Sequence, residues 1–175
     1  DAERWQHRYT LSLARAVVAQ RSQFSTAYLS HTSAALALEL DMFSQEPDVY
    51  LAVSSTPYQV HAVLPRIWVP ARGTPALIPD GSSESSPCRD VTLWRRRLAL
   101  MPEEIASVGE TVATTAVRTA YDCAFDEPAH NALAIADSVL RRCCQPNRER
   151  PELCSTAIAR VRREWELMLK RELRR

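Results

Sequence analysis

The chain is short of glycine, with three in 175 residues. That scarcity excludes the glycine-rich loops in which backbone amides approach a bound phosphate with no Cβ in the way. Lysine is scarcer still: Lys170 is the only one among 22 basic side chains. Arginine's planar fork suits phosphate and carboxylate, although a GC-rich coding sequence explains both the arginines and the many alanines. No apolar run approaches the ~20 residues that cross a bilayer, so no membrane partner is expected. Charge of one sign is missing too: the formal net charge is +1, which removes any bulk attraction to nucleic acid or to a membrane surface. The five cysteines, Cys88, Cys123, Cys143, Cys144 and Cys154, are odd in number and irregularly spaced, unlike a disulfide framework. A reducing cytoplasm is the expected setting. The opening DAERWQHRYT is charged and aromatic, unlike a signal peptide. It lacks an initial methionine, as a trimmed chain or a fragment of a longer one would.

What is present reads as one domain over 1–175. Trp5, Tyr9, Leu13, Ala16 and Val17 draw a helical stripe over about 5–20, with Arg8 and Arg15 outside it. Ser30 is suited to cap a second helix over 31–42 that is apolar nearly all round. Residues 48–53, β-branched and aromatic between Pro47 and Ser54, predict a strand. An edge or irregular strand is expected over 61–69, where Pro65 and Pro70 limit pairing. A Pro/Ser-rich loop over 71–90 follows, then a strand over 91–98, a helical turn at 101–104 and a short strand at 111–113. Thr114 or Thr115 caps a helix with Val117, Ala120, Tyr121 and Ala124 inward. A further helix, opened by Asp126, Glu127 and Pro128, runs to about Arg142 with Ala129, Ala132, Leu133, Ala136, Val139 and Leu140 inward. A C-terminal amphipathic helix over 152–175 lines up Ile158, Val161, Trp165, Met168 and Leu169. The expected class is α+β: helices flanking a small mixed β-sheet, with a long C-terminal helix.

Chemistry is thin. Cys143 and Cys144 are adjacent, pointing ~100° apart on a helix, and no second cysteine pair completes a zinc site. Ser30 and His31 are neighbours at a helix start, and no nucleophile-elbow pattern occurs. Asp80 after Pro79, with Glu84, resembles the start of a restriction-type nuclease motif, but its lysine is missing and the stretch lies in the loop. No catalytic residue, metal or cofactor is therefore expected. Arg95, Arg96, Arg97, Arg141 and Arg142 are the candidates for contact with nucleic acid or a protein partner. Strand alternation puts Arg95 and Arg97 on one face and Arg96 on the other, with Trp94 the only nearby aromatic in sequence. A solvated face is the plainer reading of these arginines. Arg118 and Asp122 form an i, i+4 pair worth ~0.3–0.5 kcal/mol if exposed. Asp122 or Asp137 could instead lock two helices across the core.

Three segments in order resemble the body of AbiEi-family type IV antitoxins and related actinobacterial regulators: YLSHTSAALALEL from Tyr28, ETVATTAVRTAYDCA from Glu110, and ALAIADSVLRR from Ala132. The matching residues are Ser30, His31, Ser33, Ala34 and Ala35, then Thr114, Arg118, Thr119 and Asp122, then Ala136, Asp137, Leu140 and Arg141. With the strands over 49–53 and 91–98, the resemblance covers about two thirds of the chain. Family members begin with an operator-binding winged helix, which no segment before Trp5 matches, and the 54–90 region is longer than the family's. The resemblance implies a non-catalytic antitoxin core. Such a core serves as the second domain of a transcriptional regulator or as partner of a nucleotidyltransferase-like toxin. The alternatives are the N-terminal region of a very-short-patch-repair-like endonuclease relative without its catalytic domain, or a structural partner-binding domain.

Overall fold

The computed structural model describes residues 2–44, 46–65, 90–144 and 149–174. Most of the 71–90 loop, with Asp80, Glu84 and Cys88, lies outside the described residues. So do positions 66–69 of the expected edge strand, positions 145–148 and the side chain of Trp5.

The described elements are, in chain order, α1 (Ala2–Arg21), β1 (Ala27–Leu29), α2 (His31–Ala37), β2 (Val49–Val53), β3 (His61–Val63) and β4 (Thr92–Arg97). A 3-10 turn, Pro102–Glu104, leads into β5 (Ile105–Val108), β6 (Thr111–Thr114), α3 (Ala116–Asp126), α4 (Ala129–Cys144) and α5 (Pro151–Glu172). The strands form one mixed sheet in the order β3-β4-β2-β1-β6-β5. Pairs β1·β6 and β2·β4 are parallel, and the others antiparallel. The class is α+β, helices flanking a mixed sheet, and the long C-terminal helix is present.

β2 is buried along its whole length, as a central strand must be when both its faces are covered. Val49, Leu51 and Val53 meet Ala16 and Ala19 of α1, with Leu29, Leu93 and Ala113 from neighbouring strands. The alanines let α1 approach closely, and Gln20 pins it by donating to the carbonyls of Ala27 (2.9 Å) and Val112 (2.7 Å). A second cluster joins α2, α3 and α4 through Ala35, Leu40, Ala120, Cys123, Ile135 and Val139, with Trp165 of α5 packed against it.

Several expectations are corrected. α2 stops at Ala37, because Glu39 turns left-handed (φ 55°) and Leu40 and Glu39 donate back to the carbonyls of Ala35 and Leu36. This is a Schellman stop, written without the usual glycine. In α3 the inward face holds Arg118, Thr119 and Asp122 beside Ala120 and Tyr121, while Ala124 is exposed. In α4 the buried line is Asn131, Ile135, Ser138 and Val139, with Ala129 and Leu133 outward. In α5 only Val161 and Met168 are buried, and Ile158 and Leu169 are exposed. β1 and β5, neither expected, complete the sheet. β5 joins β6 through Gly109 and Glu110, the glycine taking φ 56°.

Candidate functional site

The site is built where β1 runs into α2. Ser30 occupies the N-cap position, yet its hydroxyl makes no capping bond. Instead it lies 3.1 Å from His31 Nδ1, while His31 Nε2 lies 3.0 Å from Asp126 Oδ2 at the end of α3. The imidazole thus bridges the Ser30 hydroxyl and the Asp126 carboxylate. His31 adopts φ 48°, an uncommon conformation for a residue with a Cβ and one found at constrained sites. Although serine, histidine and aspartate fall in a row, Ser30 is 0% exposed, so its oxygen is sealed from any substrate. The hydrogen bond from His31, with the electrostatic pull of His31 and then of Arg96, holds the Asp126 carboxyl below its ordinary range against the opposing effect of burial.

Arg118 is the largest fully buried side chain, 1% exposed. Its Nε donates to Asp122 Oδ1 (2.9 Å) and its Nη2 to Glu172 Oε1 (3.0 Å), while Nη2 also lies 2.8 Å from Asp122 Oδ1 and Nη1 3.5 Å from Glu104 Oε2. Glu104 also accepts from Arg171 (2.6 Å) and from the Met101 amide (2.9 Å). The Tyr121 hydroxyl donates to Glu172 at 3.3 Å. Burial works against the guanidinium's charge, but the carboxylates of Asp122, Glu104 and Glu172 outweigh it and raise its pKa. Burial likewise pushes the Asp122 carboxyl up, against the pull of Arg118. Asp122 Oδ2 and Arg118 Nη1 are buried without hydrogen-bond partners. The i, i+4 pair is thus not an exposed bridge: Arg118 and Asp122, the latter one of the two carboxylates read as a possible lock across the core, form a buried node tying α3 to the 3-10 turn and the end of α5. Asp137 is no core lock: its side chain is 67% exposed and pairs with Arg141 at 3.0 Å.

The candidate arginines separate. Arg95 reaches the segment just after α1, donating to Gln23 (2.8 Å) and to the Gln59 carbonyl (3.3 Å). Arg96, on the opposite face, lies over the Trp94 ring at 5.5 Å and 3.5 Å from Asp126. Arg97, at the strand's end, is exposed and lines a cleft of about 290 Å³ with His31, Arg118, Tyr121, Asp122 and Asp126. Arg141 pairs with Asp41 (2.9 Å), and Arg142 donates to the carbonyls of Leu38 and Glu39, closing the end of α2.

Sequence reasoning missed the aromatic row. His61 of β3, Trp94 of β4 and Tyr50 of β2 lie side by side by strand register. Ring centroids are 5.4 Å apart for His61–Trp94, 6.4 Å for Tyr50–Trp94 and 4.7 Å for His31–Tyr50. Period-two alternation marks each ring's face, but only the strand order brings them together. Burial, reinforced by Glu127 and Asp48, pushes the Tyr50 hydroxyl up to about 12. No cluster of three or more His, Cys, Asp or Glu among the described residues is arranged to hold a metal ion. No helix of the described residues is long and apolar enough to cross a membrane.

No protein-family model, curated protein or solved structure matches the chain.

Proposed function

We propose that this chain is a non-catalytic, antitoxin-type regulatory and protein-interaction domain of a bacterial toxin–antitoxin system, working in the cytoplasm. One observation carries the reading. Among the residues shared with the AbiEi-like pattern, Ser30, His31, Ser33, Thr114, Arg118, Thr119 and Asp122 are buried and bond to one another and to neighbouring elements, while Asp137 and Arg141 at the end of the pattern are exposed. Side chains used this way support a scaffold, and recognition then falls to the surface that the scaffold holds. Arg96 and Arg97, on the strand that the resemblance includes, are the residues best placed for a toxin or for operator DNA.

The test is co-purification with a nucleotidyltransferase-like toxin encoded beside the gene, together with mobility shift on its own promoter DNA. Binding to either is expected, weakened about tenfold by Arg96→Ala with Arg97→Ala, the loss of one or two charged contacts. A chain that retains neither ligand ends this reading. A structural partner-binding role is favoured by one feature: α5 leaves Leu153, Leu167 and Leu173 exposed. Light scattering of the Leu167→Gln, Leu173→Gln variant against wild type separates that role, which predicts a loss of assembly.

A further inference from the structure

A second cleft, of about 400 Å³, opens between the loop after α2 and the α3–α4 junction, lined by Phe43, Asp48, Tyr50, Asp126, Glu127 and His130. It shares Asp126 with the first cleft. Asn131 builds it from below: its amide donates to Glu127 Oε2 at 2.8 Å and its carbonyl accepts from the Phe43 amide at 3.0 Å. One buried residue thereby sets both a carboxylate and an aromatic ring.

Three observations bear on what enters. The Glu127 carboxylate forms no ion pair among the described residues, and the hydrogen bond it accepts among them comes from the neutral Asn131 amide. Burial raises its carboxyl above the ordinary range, a penalty that an incoming cation relieves. Tyr50 is 8% exposed, and its hydroxyl, beside Glu127 and Asp126, makes no hydrogen bond among the described residues. A tyrosine oxygen so placed is a waiting acceptor. The exposed Phe43 ring stands edge-to-face with His130 at 5.6 Å, offering an aromatic wall to the apolar stem and cationic head of a side chain.

We propose that this cleft receives a cationic side chain, arginine first, from a partner polypeptide. The guanidinium donates to Glu127 and to the Tyr50 hydroxyl and lies against Phe43. Arginine fits better than lysine because its flat, forked donors reach two separate acceptors while its face meets the ring. The inference goes beyond the antitoxin reading and does not need it.

The test is calorimetric titration of the whole chain with N-acetyl-arginine-methylamide, its citrulline counterpart, which has the same shape without the charge, and free arginine. The blocked arginine is expected to bind and the citrulline compound to bind at least about tenfold more weakly. Glu127→Gln should weaken the arginine compound by a similar factor, and Tyr50→Phe by a smaller one, with the circular dichroism of both unchanged. Equal binding of citrulline, an unchanged affinity in Glu127→Gln, or no heat from blocked arginine overturns the proposal. Free arginine binding more tightly than the blocked compound overturns the polypeptide source. A chain that ignores the toxin yet binds blocked arginine loses the antitoxin reading and keeps this pocket.

Discussion

Burying a guanidinium costs several kcal/mol unless opposite charges offset it, and Arg118 is hydrogen-bonded to carboxylates of its own helix and of the last helix, with the Glu104 carboxylate of the 3-10 turn 3.5 Å from its Nη1. Removing the arginine would leave those carboxylates facing one another. Arg118→Ala should therefore destabilise the protein by about 3–5 kcal/mol, read as a lowered urea midpoint. An effect near the ~0.3–0.5 kcal/mol of an exposed helix pair would show that the node contributes nothing in solution. The spacing of Arg118 and Asp122 was legible in the sequence, but a lock across the core by Asp122 or Asp137 stood only as an alternative to an exposed pair. A polar pair on a helix reads as a solvated face until its distant partners are known, and Glu172 lies 54 positions away.

At the scale of elements, most of the secondary structure could be read from periodicity: α1, β2, β4, the 3-10 turn and α3 to α5. β1 escaped because AYL is three residues long, too short to display alternation, and it exists only through pairing with β2 and β6. The end of α2 escaped because its left-handed position is a glutamate. This makes two backbone predictions of opposite sign. Glu39→Gly should stabilise by about 0.5–1 kcal/mol, since the relief of left-handed strain exceeds the added unfolded-state entropy. Gly109→Ala should destabilise by about 0.5–1 kcal/mol, the same balance reversed, through backbone conformation alone, because a Cβ there would meet no atom within 4 Å. Thermal melts of both variants check the pair, and shifts of the same sign would refute the account. The inward stripes of α3 and α4 were misplaced for one reason. Asn131, Ser138, Arg118 and Asp122 are buried polar residues, and a rule that seeks apolar periodicity turns the helix away from them.

At the scale of the molecule, His31 and Asp126, 95 positions apart, join the β1–α2 corner to the end of α3. No local pattern announces such a pairing, which is why the candidate site was read as separate arginines. The depressed Asp126 carboxyl stabilises the fold at neutral pH, and this contribution is lost as pH falls below about 4, the unfolded value, and on through the lower folded value. Asp122 and Glu127, raised by burial, act in the opposite sense, so the informative quantity is a difference. Wild type should lose more stability than Asp126→Asn between neutral pH and pH 3, by urea titration at each. Equal losses would mean that the His31 contact does not persist in solution.

The Arg118 node also sets an order of events during synthesis. Glu104 and Asp122 leave the ribosome with the arginine, but Glu172 follows 54 residues later, a delay of roughly 3–11 s at ~5–20 residues per second. Through that interval Arg118 is without its third carboxylate. Final closure of the core therefore waits on the last turn of α5.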